Sequence, residues 1–307
     1  MQVQDGYICN FLNAPIVMAA DGATIVGDYS SNYAGLVHFH PCRLADCLAD
    51  ARYIDGLVVP IADDVQVANI YHWISDWLPR LAFLGPRVRD HDVFVVTAEI
   101  TADFQRESLR LCGVDADRIV PVGNFAAIRA RELVVPSNLG QIVHPAFSAA
   151  PWALSYLRST LGLAALQAEA ASAGGDRIYI SRRDANGRQV RNEAEMMALL
   201  GRSGYRELVL SGLPLIEQIA TIARAKRLVG VHGAGLIHFA FSPPGARLLE
   251  ILPKSYAIPG YPILAAGLGN DYLSYVAEQV IPGINPSFDD ITIDIADFER
   301  CCRDFYE

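Results

Sequence analysis

Arg227-Leu-Val-Gly-Val-His-Gly-Ala-Gly-Leu236 is the stretch whose reading decides the fold. An apolar run from Leu228 to Val231 stops at His232 and three small residues, Gly233, Ala234 and Gly235. The pattern predicts a buried parallel strand that feeds a tight turn and then a helix start. Small residues at such a turn let backbone N–H groups approach a ligand, and a helix N-terminus favours an anion. Pro243-Pro244-Gly245 then precedes a second apolar run, 247–252, which carries a lone carboxylate, Glu250. A phosphate seat followed by a carboxylate near the next strand end suits a nucleotide, one group for the diphosphate and one for ribose hydroxyls. An ordinary strand-turn-helix of a parallel sheet has the same appearance, and Glu250 has an alternative partner in Arg247.

Outward from this stretch the chain alternates strand and helix. Strands are expected at 177–181, 206–210, 227–231 and 247–252, with helices at 193–203, 214–225 and after Gly235. This is a doubly wound α/β unit. Upstream, strands at 92–97, 119–122 and 132–135 and a helix at 102–111 make another βαβ domain, closed by a Leu- and Ala-rich helix at 152–171. Ala173-Gly174-Gly175 is the candidate linker. The organisation read from this is an N-terminal domain over 1–172, a C-terminal domain over 173–280, and a tail over 281–307. A helix in the tail, capped by Asp294 or Asp297, is expected to return to the first domain. Residues 7–64 read as β-rich, with a hairpin at Asp21-Gly22. From 67 to 84 the period turns helical, and Pro79 should kink or break that helix.

At 307 residues the chain suits two domains, and 52% hydrophobic residues supply two cores. A net charge of -9 argues against a nucleic-acid groove or an anionic membrane surface as partner. With only Lys226 and Lys254 as lysines, any anion clamp must come from arginine, histidine or helix termini. The six cysteines form no CxxC pair, so reduced thiols are expected rather than a zinc site or disulfides. Neither a secretory signal nor a run of about 20 apolar residues is visible, which reads as a cytoplasmic protein.

The second informative segment is Tyr71-His-Trp-Ile-Ser-Asp-Trp-Leu-Pro-Arg80. His72 and Asp76 stand four apart and share a helix face. A carboxylate beside an imidazole fixes its tautomer and raises its basicity, as a general base requires; an exposed structural pair has the same spacing. Arg182 and Arg183 follow the strand ending at Ser181, where one arginine is expected in the crevice and the other in water. Arg188 continues that loop, and Asn192 with Glu195 reads as a helix cap. Asp63-Asp64 lack companions for a metal cage. His38 and His40 are a weak metal pair, and Ser181 lacks the context of a hydrolase nucleophile. No metal or other cofactor is expected.

Taken together, these segments resemble glycosyltransferase family 61. The matches run in one order: Asn69-Ile-Tyr-His-Trp-Ile-Ser-Asp-Trp-Leu-Pro-Arg-Leu81, Tyr179-Ile-Ser-Arg-Arg-Asp184 with Arg188 and Asn192-Glu193, Glu217-Gln218, Val229-Gly-Val-His-Gly-Ala-Gly-Leu236, Phe241-Ser-Pro-Pro-Gly245 and Glu250. The family usually has Asn where this chain has His238, which bears on donor preference if that position touches donor. The resemblance implies a GT-B architecture, two Rossmann-like domains facing across a cleft. It also implies inverting transfer from a nucleotide sugar, UDP-linked by default, to a hydroxyl of a glycan or lipid-linked glycan in bacterial surface polysaccharide synthesis. On this reading Asn69, Arg182, Arg188, His232, Gly233, Ala234, Gly235, His238 and Glu250 bind substrate, and either His72 or Asp76 is the base. A non-catalytic nucleotide-sugar or glycan-binding protein is the alternative. An NAD-dependent oxidoreductase is a poorer one, because no Gly-x-Gly-x-x-Gly turn follows an early strand.

Overall fold

Two blocks of β-branched sequence form two separate sheets in a computed structural model of the chain. It describes residues 1–11, 14–26, 41–61, 68–97, 99–136, 150–168, 175–254, 256–280 and 288–307. The chain divides into two compact units, Met1–Pro145 and Ala146–Glu307. Each is a mixed α/β unit with its own sheet and helices.

The first unit runs β1 (Gln2–Gln4), β2 (Tyr7–Phe11), β3 (Ala14–Met18), α1 (Pro41–Ala49), β4 (Arg52–Pro60), α2 (Ile70–His72), β5 (Val93–Thr97), α3 (Asp103–Leu111), β6 (Ile119–Pro121) and β7 (Ala126–Val134). Its sheet has the order β3-β2-β7-β4-β5-β6, with β1 also on β7. β4 pairs parallel with both β5 and β7, while β1 and β2 pair antiparallel with β7. The Asp21-Gly22 turn forms as expected: Asp21 Oδ1 accepts the amides of Ala23 and Thr24, and Val26 N donates to Val17 O. Gly22 takes φ +63 there, a conformation open mainly to glycine. The opening segment is not all β, since α1 buries Leu44 and Cys47 against Cys9, Ile16 and Met18.

The helical stretch expected over 67–84 is present from Ile70, but not as one regular helix. α2 widens into a π-helical turn at Trp73–Trp77 and then tightens into 3₁₀ turns over Leu78–Arg89. Pro79 lies at the start of the 3₁₀ segment. Lacking an N–H, it cannot continue the ladder of the preceding turns.

The second unit runs α4 (Pro151–Leu157), a π-helical turn at Arg158–Gly162, α5 (Leu163–Gln167), β8 (Arg177–Ile180), α6 (Glu193–Arg202), β9 (Arg206–Leu208), α7 (Leu215–Ile222), β10 (Arg227–Val231), 3₁₀ turns at Ala234–Phe241, β11 (Arg247–Pro253), α8 (Gly260–Leu268), β12 (Asp271–Gln279), β13 (Ile291–Thr292) and α9 (Ile295–Tyr306). The strand order is β13-β12-β11-β10-β8-β9. All neighbours pair parallel except the β12–β13 edge. The winding direction reverses at β8, whose neighbours are the later strands β9 and β10.

The sequence reading carries the first domain to 172, whereas the contacts group everything from Ala146 with the second unit; α5 packs on α7 there. The tail helix α9 packs within the second unit, on α6, β10, β11 and β12. Asp294 caps it, and Phe298, Cys302 and Tyr306 form its buried stripe. Cys9, Cys47, Cys112 and Cys302 are buried free thiols, and Cys301 is an exposed one. His38, His40, Asp63, Asp64 and the Ala173-Gly174 part of the linker lie outside the described residues. Among the described residues no helix is long and apolar enough to cross a membrane.

Candidate functional site

In a parallel sheet, ligands bind beyond the carboxyl ends of strands where the winding reverses. In the second unit that point lies between β8 and β10, and the residues leaving these two strands are Ser181-Arg182 and His232-Gly233. The Arg182 guanidinium lies directly against the Gly233 backbone: a Cβ on Gly233 would overlap Arg182 Nη1. Its Nη2 donates to Gly187 O at 3.0 Å, which ties the arginine to its own loop. Glu193 at the start of α6 secures the base of the loop by accepting from Tyr179 Oη (2.6 Å) and Ser181 Oγ (2.8 Å). Arg183 turns outward to the Glu207 carboxylate at 2.8 Å, so one arginine lies over the turn and the other in water, as the sequence implies.

Arg188 approaches the same place from the far end of the loop. It holds φ +56, unusual for a residue with a side chain, and its guanidinium lies 5.1 Å over the Tyr256 ring. Its Nε is buried without a hydrogen-bond partner among the described residues. Burial lowers the pKa of both arginines, that of Arg182 to about 10, and the Arg188 charge adds to the effect on Arg182. Neither makes an ion pair among the described residues. Two desolvated guanidinium groups near a helix start have the chemistry that an anion seat would need.

The turn itself is held by tyrosines. Gly233 O accepts from Tyr261 Oη (2.6 Å) and from Leu236 N (3.0 Å). The N–H groups at the start of a helical segment have no partner within it, and here they belong to the small residues Ala234 and Gly235. The His232 ring is bracketed by Tyr256 and Tyr261, at 5.3 and 5.7 Å between centroids.

Glu250 is placed otherwise than the sequence implies. It is 0% exposed, and its two oxygens meet His232 Nδ1 at 2.5 Å and Tyr272 Oη at 2.6 Å. The carboxylate is enclosed by these two groups instead of facing a wet crevice. The suggested Arg247 partner is likewise absent: Arg247 pairs with Asp271. His238 is buried, at 1% exposure. Its Nδ1 donates to Gly235 O at 2.8 Å, so it braces the turn from behind. Its Nε2 is buried without a partner among the described residues, and burial lowers its pKa to about 4.

In the first unit, His72 Nδ1 lies 2.7 Å from Asp76 Oδ2, and Ser75 Oγ donates to Asp76 Oδ1 at 2.8 Å. Both Asp76 oxygens are thus engaged, and its side chain is 16% exposed against 11% for His72. The Tyr71 ring stands edge-on to the imidazole and Trp77 lies near it. The dyad spans the π-helical turn, an irregularity that often marks functional positions. Asn69 works as a cap: its side chain accepts from Tyr71 N at 3.0 Å. Asn192 does not cap α6. Its amide exchanges two hydrogen bonds with the Ile293 backbone, 2.8 and 3.0 Å, which pins the tail to the sheet.

Sequence reasoning missed Tyr256, Tyr261, Tyr272 and Glu193 as parts of the site. Only Glu193 carried a signal, its place among the matched motifs; the tyrosines follow β11 with no distinguishing spacing. Among the described residues, no group of three or more His, Cys, Asp or Glu could hold a metal ion. No curated protein matches the chain. A family model described as glycosyltransferase 61 matches residues 70–249, from the start of the His72 helix to the residue before Glu250. That span covers more than half of the chain and takes in both the dyad and the arginine pair: the chain belongs to glycosyltransferase family 61.

Proposed function

We propose that the protein transfers a sugar, with inversion, from a UDP-linked donor to an acceptor hydroxyl during synthesis of a bacterial surface polysaccharide or related glycan on the cytoplasmic side. The second unit holds the donor, with its diphosphate against the backbone from His232 to Gly235 and beside Arg182 and Arg188. The first unit serves the acceptor: His72, oriented by Asp76, takes the proton from the attacking hydroxyl. The two units play the roles of GT-B halves, and the guanidinium pair neutralises the leaving diphosphate without a metal.

The observation that carries this reading is the Arg182–Arg188 pair, desolvated at a strand-order reversal and in no salt bridge among the described residues. Partly buried cations are costly unless an anion joins them. A panel of nucleotide sugars tests it. A donor at ~100 times its dissociation constant adds about 2.7 kcal/mol to stability, so the right donor raises the Tm. The same donor with glycan acceptors then gives product of inverted anomeric configuration by NMR. Binding with no turnover across a broad acceptor panel would leave a binding protein, and no binding by any nucleotide sugar removes the donor seat.

A further inference from the structure

Glu250 and His232 form a buried acid–base couple at the mouth of the proposed donor seat. A carboxylate at 0% exposure needs a counter-charge or a proton. Among the described residues its salt bridge is to the imidazole, at 2.5 Å, with Tyr272 Oη donating to its other oxygen and the Arg188 charge acting from further off. With the carboxylate ionised and the proton on the ring, His232 becomes an imidazolium and its Nε2 an N–H donor. The ring cannot swing away, because Tyr256 and Tyr261 flank it and Tyr261 is bonded to Gly233 O. Nε2 has no protein partner among the described residues, and 10% of the side chain stays open to solvent. The next residue is Gly233, against which Arg182 lies.

We infer that His232 is a further catalytic residue, whose Nε2–H donates a hydrogen bond to the β-phosphate oxygen that leaves the sugar, with Glu250 and Tyr272 as positioning residues. This rests on the donor seat proposed above. As the acceptor oxygen bonds to the anomeric carbon, the electron pair of the breaking C–O bond goes to that β-phosphate oxygen. The acceptor's proton goes to the base. His232 keeps its proton and stabilises charge where it develops. The groups at the ring are Glu250 on β11, Tyr256 after β11 and Tyr261 on α8; one step further out, Tyr272 on β12 donates to Glu250, Arg182 lies against Gly233 and Arg188 over Tyr256.

The test follows the His232 Hε1 NMR resonance, assigned by its absence in His232→Gln, against pH. UDP-glucose is the probe, because its diphosphate does not titrate across the histidine range. The ring of the wild-type protein should bind its proton about tenfold or more tightly than in Glu250→Gln, and UDP-glucose should tighten it again. With the best donor of the panel, His232→Gln should lower kcat by about 10²–10³-fold with KM nearly unchanged. Tyr272→Phe, which removes only a hydroxyl, should give a smaller loss and shift the alkaline limb of kcat to higher pH, because a carboxylate that loses a donor holds the ring proton more tightly. A titration of His232 unmoved by UDP-glucose, or wild-type kcat in His232→Gln, overturns the inference. The donor seat is judged separately by loss of UDP-glucose binding in Arg182→Ala. If no nucleotide sugar binds the wild type, seat and inference fall together.

Discussion

The guanidinium of Arg182 fills the space that any side chain on residue 233 would need. Glycine is required there by close approach, since its backbone is extended, with φ 170. Gly233→Ala should therefore push aside a flexible side-chain end rather than a packed backbone. Its stability cost should stay near the low end of the ~1–3 kcal/mol typical of overpacking. UDP affinity should fall much more than that cost implies. Calorimetric titration beside thermal melts checks this; equal UDP binding in mutant and wild type would place the diphosphate elsewhere.

Removing the cation itself should act on the phosphates alone. Losing a charged, hydrogen-bonded partner costs about 2–5 kcal/mol, or roughly 30- to 4000-fold in affinity. Arg182→Ala should weaken UDP by a factor in that range and leave uridine almost untouched. A parallel loss for both ligands would make the effect structural.

His72→Ala should lower kcat by about 10²- to 10⁴-fold while donor affinity stays nearly constant. Both Asp76 oxygens are already engaged by His72 and Ser75, which supports the proposal that His72 is the base and Asp76 its orienting partner. The loss in Asp76→Asn should then be smaller than in His72→Ala. The reverse order in steady-state kinetics would transfer the proton to Asp76.

His238 makes a prediction about acid stability. Burial holds its folded pKa at about 4, below the ordinary 6.5. The unfolded chain thus takes up a proton that the folded one refuses as pH falls through this window, so this residue makes stability decline from about pH 6.5 to about pH 4. Above pH 6.5 it contributes no slope. Denaturant melts of His238→Asn should show a flatter acid limb than wild type; superimposable limbs would contradict the assignment.

Activity should persist in excess EDTA, because two guanidinium groups and a helix start can carry the leaving diphosphate. A sharp loss restored by manganese would overturn this expectation.

The sequence by itself determined the strand ending at Val231, the small-residue turn, the β8 strand with an arginine at its end, and the His72–Asp76 spacing. Each depends on local pattern: apolar runs, a helical period of four, and glycines where the chain must pass closely. The Asp294 cap was legible for the same reason. α8 and β12 were not, because their apolar residues show no sustained period and only packing on neighbours selects their conformation; α1 has a helical period but lies within a stretch whose short apolar runs read as strands. The π-helical turn was likewise hidden behind a pattern that reads as an ordinary helix.

Tertiary structure decided what the site's polar groups do. Glu250 looks from its strand like a ligand group, yet register places Gly230 beside it on one side and Ser274 on the other. His232 and Tyr272 then close over its oxygens. Asn192 looks like a cap, but the tail strand brings Ile293 within reach of its amide, and two backbone bonds outweigh one cap bond. Arg188 comes to the proposed donor seat only because its loop folds back over Tyr256. A residue's chemical type is written in the sequence. Its partner is set by which strands become neighbours, and that is fixed by burial across the whole sheet rather than by any local run of residues.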